Sequence, residues 1–493
     1  MTWLSLIMAV SASAPSWAAS GPDVVVHDLF DVATWGARRN VTAFSVGTTS
    51  CNVGDTPALW IRATNEHPVI AQNMYRLLDG RFEQIGQSWL KHSFNATNQD
   101  GCGVCDYFPI PMGSKLGPDC SDPYSSFLNG RREPQPPESG GGGGIGPRSE
   151  VNPVTGDFPY PYLFSPPIRN ELDRRLLVHN EDLDPELNPG ALYFVEGHYI
   201  TADDAAAGND DNNASYRRID VRQSNGKYSI ALTPGKFTQR QRAAIMAWPD
   251  HEQGVSVKPI DVDGDGRFLV GYRAASIGNG VWRYHYAIQN YNSHRAAWRF
   301  QVPVPPDVRI SNVGFHDVDS HTGDGEQGGE YSNEDWSVEV LPDAVVWKAV
   351  PYDEDVNANA LRWGTLYSFR IDADAAPGLS DASIGLFRPG VPDAVSVPVS
   401  APGGVGGIPC QAIRKLKGSC RPGGTVKAVV RFRTPDYEGQ SVTLAVDGRP
   451  FQVTVEGKAA RLHVCCYNGP TEIRLVLPYE CEDPIEVNCP EAP

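Results

Sequence analysis

The sequence predicts a mainly β protein: antiparallel sandwich-type domains with few short helices, plus a small disulfide-bonded C-terminal β-domain. Three observations predict it. Apolar and aromatic residues recur in short runs bounded by turn residues, the pattern of half-buried strands. The 49 glycines and 41 prolines in 493 residues exceed the usual ~12% and supply many turns. The ten cysteines fall in two clusters, 51–120 and 410–489, with none from 121 to 409. A formal charge of −17 excludes a general attraction to nucleic acid or anionic membranes, while carboxylates suit hard cations such as calcium.

Residues 1–18 read as a signal peptide. Trp3 to Val10 form a short apolar core, and Ser16-Trp17-Ala18 offers a small-x-small cleavage site, although no Lys or Arg precedes the core. No segment has the ~20 apolar residues of a membrane-spanning helix. Export to a secreted, periplasmic or cell-surface location suits the even cysteine count, and disulfides within each cluster are expected. The rival reading takes Cys102-Gly-Val-Cys105 with Cys51 and Cys120 as a four-thiolate zinc site. Three sequons, at Asn40, Asn95 and Asn213, matter where exported proteins are glycosylated.

The N-terminal β-rich region is expected at 19–130, with strands at 23–26 and 58–63. A hairpin follows at 75–85, its turn made by Asp79-Gly80, since Asp-Gly supplies positive φ angles. Residues 131–149, with a five-glycine run at 140–144, read as a linker or long surface loop. The central sandwich-like region, 150–398, offers strands at 191–200, 281–288 and 297–304, the last two expected to pair with each other. A helix is expected over 234–248, capped by Thr233 with Pro234 in its first turn. The segment 203–213 reads as a polar, mobile loop. A second linker, 399–409, precedes the C-terminal domain, 410–493, where five short runs resemble the strands of a sandwich or partial barrel.

Four stretches, Cys120–Ser126, Gly146–Pro153, Trp282–Asn290 and Gly314–His321, resemble a family of exported bacterial proteins with no assigned activity. The resemblance spans about 50–370. It implies export and one extended assembly over 20–370, with the glycine run as a loop inside it. It supplies no catalytic residue.

Two motifs could hold ions. Asp261, Asp263 and Asp265 match D-x-D-x-D-G and could converge on calcium. Tyr272 stands where an EF-hand needs Glu, so the choice is a calcium loop between strands or a plain β-turn. His316, Asp319 and His321 form the densest group of ligand types, suited to zinc, copper or non-haem iron, with His67, His92, His179 or His198 as a fourth ligand. The alternative is an exposed acidic loop. Seven acids and no Lys or Arg lie between His316 and Asp335, which should raise both histidine pKa values. Nucleophile-elbow, HExxH and phosphate-loop motifs are absent, and the acid pairs Asp203-Asp204 and Asp353-Glu354 read as solvated loop charges. The aromatic stripe Trp282, Tyr284, Tyr286 reads as sandwich core ahead of a carbohydrate platform.

Two functions follow. The first is an exported β-protein that binds an extracellular polymer or protein, with calcium stabilising it. The second is an extracellular metal-dependent hydrolase or oxidoreductase with its site at 316–321.

Overall fold

In the strand Val69–Leu78 every position is buried, because both faces of its sheet are covered. The computed structural model describes residues 20–93, 95–133, 144–403, 408, 410–421, 424–438, 440–447, 449–477 and 481–490. The expected signal peptide at 1–18, residues 134–143 of the expected first linker and residues 404–407 and 409 of the expected second lie outside them, and residues 399–402 of the second are not linker but the end of the strand Ala394–Pro402. Val69–Leu78 belongs to a ten-stranded antiparallel sheet. Its neighbours are Arg81–Gln87 on one side and Leu192–Ile200 on the other. One face carries Ile70 and Met74 into a core shared with a three-stranded sheet, Val24–Asp28, Thr48–Asn52 and Ser121–Tyr124. The other face carries Tyr75 and Leu77 against Trp248, Ala287 and Leu366. Period-two alternation thus serves two cores from one strand.

The hairpin expected at Asp79-Gly80 forms. Leu78 pairs with Arg81, and both turn residues have positive φ, 51° and 74°, as a two-residue turn requires.

A sandwich follows. One five-stranded sheet contains Arg267–Gly278, Val281–Asn290 and Thr365–Ala373; the other contains Ala297–Pro303, Pro377–Leu386 and Ala394–Pro402. Tyr284 and Tyr286 meet Phe300, Val302 and Trp347 between them, so the aromatic stripe is core.

Several expectations need correction. Strands Val41–Val46 and Arg81–Gln87 pair with Leu176–His179, so one sheet takes strands from both sides of the 131–149 segment. The strands near 281–288 and 297–304 do not pair; they lie in opposite sheets. Asn290 accepts from Ser293 N and donates to Ser293 O, and this turn carries the chain across the sandwich. Over 234–248 only the end is helical, Ala244–Met246 and Ala247–His251. Gly235 sits in a turn at φ 70°, and Thr238 Oγ1 is drawn away to accept from Leu29 N. The expected mobile loop 203–213 is anchored: Ala202–Ala207 is a helix, and buried Asp204 accepts from Val24 N and Asn213 Nδ2. Burial pushes the Asp204 carboxyl up to about 8.

The C-terminal domain is a seven-stranded arrangement from Ile413–Arg421 to Ile485–Cys489, with all pairings antiparallel. Cys420–Cys489 joins its first and last strands, and Cys410–Cys481 adds a second bridge. No helix among the described residues is long and apolar enough to cross a membrane.

Candidate functional site

Strand Leu176–His179 pairs with Arg81–Gln87 only at Gly86 and Gln87, which leaves the earlier carbonyls of that edge to other partners. Side chains from the sandwich take them. His285 Nδ1 donates to Gly80 O, Ser368 Oγ to Phe82 O and His316 Nε2 to Gln84 O. His321 Nε2 donates to Gln87 O at 2.8 Å, and Gln87 Nε2 donates back to Asp319 O at 3.0 Å. This two-way clamp fixes the 318–322 loop as one wall of a cleft of about 510 Å³. Ile85, Leu177 and Val178 line its floor.

The opposite wall is the loop 166–174. Asp173 holds it from within by accepting from Asn170 Nδ2 at 2.9 Å. Arg174 donates to Ile145 O and Pro166 O and lies over the Trp89 ring, 5.0 Å from its centre. Exposed Arg39 and Arg169 stand at the rim, and among the described residues neither makes an ion pair. His179 crosses the rim: its Nε2 lies 2.7 Å from Asp319 Oδ2. That contact raises the His179 pKa, whereas burial pushes His321 down to about 4. His321 is therefore neutral near pH 7, with its proton on Nε2 because a carbonyl can only accept.

The expected metal set does not assemble. His316 and His321 each commit a ring nitrogen to a different carbonyl, and Asp319 turns to His179. The expected rise in the His321 pKa gives way to the opposite shift, because desolvation outweighs the surrounding carboxylates. Arginines from elsewhere also answer the acidic run; Arg388 and Arg362 both reach Glu326. Of the four candidate fourth ligands only His179 meets the loop. His67 and His92 contact each other at 3.0 Å, and His198 is buried against Tyr291.

The three aspartates of D-x-D-x-D-G also diverge. Asp261 accepts from Arg267 Nε at 2.6 Å. Asp265 accepts from Ser293 Oγ, His294 N and Arg295 N, and Asp263 is exposed. The loop is the turn between Ser256–Asp261 and Arg267–Gly278, and Asp265 pins it to the sandwich crossing.

Cys51 pairs with Cys102 and Cys105 with Cys120, which replaces the four-thiolate zinc reading. Among the described residues, His27 with Cys51 and Cys102 is the one group of three ligand-type side chains close enough to share an ion. Two of them are spent as a disulfide, and the thiolate is the ligand form. Cys465 and Cys466 stand outside the four bridges, so the expectation of ten bridged cysteines is corrected to eight.

Sequence reasoning missed Arg39, Arg169 and the clamp residue Gln87. Nothing local marks them, since the cleft gathers segments near 39, 85, 170, 178 and 320. No protein-family model matches the chain, and no curated protein matches it.

Proposed function

We propose that the protein is exported to an extracellular, periplasmic or cell-surface location and acts there by binding, with the 166–174/318–322 cleft holding an acidic polymer. Four disulfides fit an oxidising compartment. The observation that carries the reading is the cleft's construction. Its walls are fixed by side chain-to-backbone hydrogen bonds, and its carboxylates, Asp173 and Asp319, are both engaged. Arg39 and Arg169 remain turned to solvent at the rim in a chain of charge −17. Guanidinium groups pair with carboxylate or sulfate through parallel hydrogen bonds. The histidines here hold shape and do not form a nucleophile–base pair.

Polygalacturonate and neutral dextran serve as probes, with binding measured by calorimetry. The wild-type chain should bind polygalacturonate, more weakly as salt rises, and should ignore dextran. The double substitution Arg39→Ala, Arg169→Ala should weaken binding about 10-fold, equivalent to ~1.4 kcal/mol. Unchanged affinity in that variant would remove the cleft from the reading.

A further inference from the structure

Consecutive side chains of an extended segment point to opposite sides, yet Cys465 and Cys466 meet. The chain leaves the strand Ala459–Val464, and Cys466 adopts a left-handed φ of 76°. L-residues avoid this region, and here it swings the second side chain back toward the first. The two sulfurs lie 2.7 Å apart and both residues are exposed. Tyr467 N then donates to Gly424 O at 3.1 Å, anchoring the far side of the turn to a neighbouring hairpin.

We propose that Cys465 and Cys466 form a reversible thiol–disulfide exchange site, closed by a small-molecule disulfide and reopened by a small-molecule thiol. The steps balance. The Cys465 thiolate attacks one sulfur of the oxidant RSSR; the oxidant's S–S bond breaks, and RS⁻ leaves with the proton that Cys465 released. The Cys466 thiolate then attacks the Cys465 sulfur, the mixed disulfide breaks, and a second RS⁻ leaves with the proton from Cys466. Two electrons and two protons pass to the oxidant, giving two RSH and one protein disulfide.

The bond is made to reopen. Adjacent Cα atoms lie ~3.8 Å apart across a trans peptide, short of the ~4.4–6.8 Å that bridges prefer. The four other bridges span 6.0, 4.6, 4.8 and 5.0 Å, inside that range. Cys51, Cys120 and Cys489 put a buried sulfur in three of them. Strained, exposed disulfides are the labile ones.

The test uses the full chain, glutathione as the probe, and alkylation with peptide mass mapping. After oxidised glutathione, Cys465 and Cys466 should resist alkylation in denaturant. Graded reduced glutathione applied to the native protein should expose these two before any of the other eight. Cys466→Ser should trap a glutathione adduct on Cys465, visible by intact mass. Cys465→Ser with Cys466→Ser should leave the melting of the C-terminal domain unchanged, which separates exchange from a fold requirement. Alkylation of the pair after oxidation, earlier release of another pair, a disulfide-linked dimer through either residue, or no adduct in Cys466→Ser would each overturn the proposal.

Discussion

Residues 20–402 bury charge, whereas among the described residues of 410–490 the one buried polar side chain is Thr471. In the larger part, Glu196 accepts from Asn73, Tyr75, Gln289 and the Ala244 amide. Arg148 donates to Ser88 O, Gly364 O, Gln72 O and Asn73 Oδ1. Asn73 therefore links a buried carboxylate to a buried guanidinium without a direct ion pair. The smaller part has an apolar core and two bridges, of sequence separation 71 and 69. The difference follows from size. A central sheet covered on both faces has room for a hydrogen-bonded polar layer, while the smaller core of a domain of roughly 80 residues carries as many bridges as the whole of 20–402.

Removing the polar layer's main donor tests that contrast most strongly. Arg148→Met keeps volume but takes a donor from four buried acceptors, of which Gln72 O and Asn73 Oδ1 keep another in Ser88 N and Gln84 Nε2. Burial lowers the Arg148 pKa only to about 10, so a charge is lost as well. Destabilisation of roughly 3–5 kcal/mol is expected, as for other broken buried networks. Calorimetry should show it in the transition of residues 20–402, with the C-terminal transition unmoved. A shift in both would mean that the two parts unfold as one.

The reciprocal experiment replaces Cys420 and Cys489 with Ser. A closed loop of this length is worth at most about 4 kcal/mol in the chain-entropy account, and measured losses run ~2–4 kcal/mol. The loss should fall on the C-terminal transition alone, because this bridge joins that domain's own end strands. An unchanged C-terminal melting temperature would show that the apolar core suffices.

The same contrast governs what could be read from the sequence. Local chemistry was legible. Asp79-Gly80 specified its turn, and the runs near 191–200 and in the C-terminal domain appear as strands. The helix at 234–248 failed because its spacing was only apparent: Phe237, which helical spacing would put on one side with Ala244, Ile245 and Trp248, is 75% exposed. The histidine cluster failed for a deeper reason. His316 and His321 are neighbours in sequence, but their partners Gln84 and Gln87 lie 232 and 234 residues away. A ring nitrogen that meets a carbonyl and one that meets a metal look the same until the sheet edge supplies the carbonyl.

Two histidines of one cleft sharpen the comparison at its smallest scale. His321 is buried and pushed down to about 4, so by NMR its imidazole should not titrate between pH 8 and 5. His179, 41% exposed beside an Asp319 that is 53% exposed, is raised by that carboxylate and should titrate above the ordinary value of about 6.5. A raised folded-state pKa means that the native chain holds the proton more tightly than the unfolded chain. The His179–Asp319 contribution is therefore fully present below pH ~6.5 and disappears as pH rises through the folded-state pKa. Exposure and screening hold it to a few tenths of a kcal/mol. His179→Ala should lower stability by that much at pH 5.5 in low salt, and by nothing measurable at pH 9 or in high salt. A loss that persists at pH 9 would assign His179 a packing role in the cleft wall and leave the charge pair without effect.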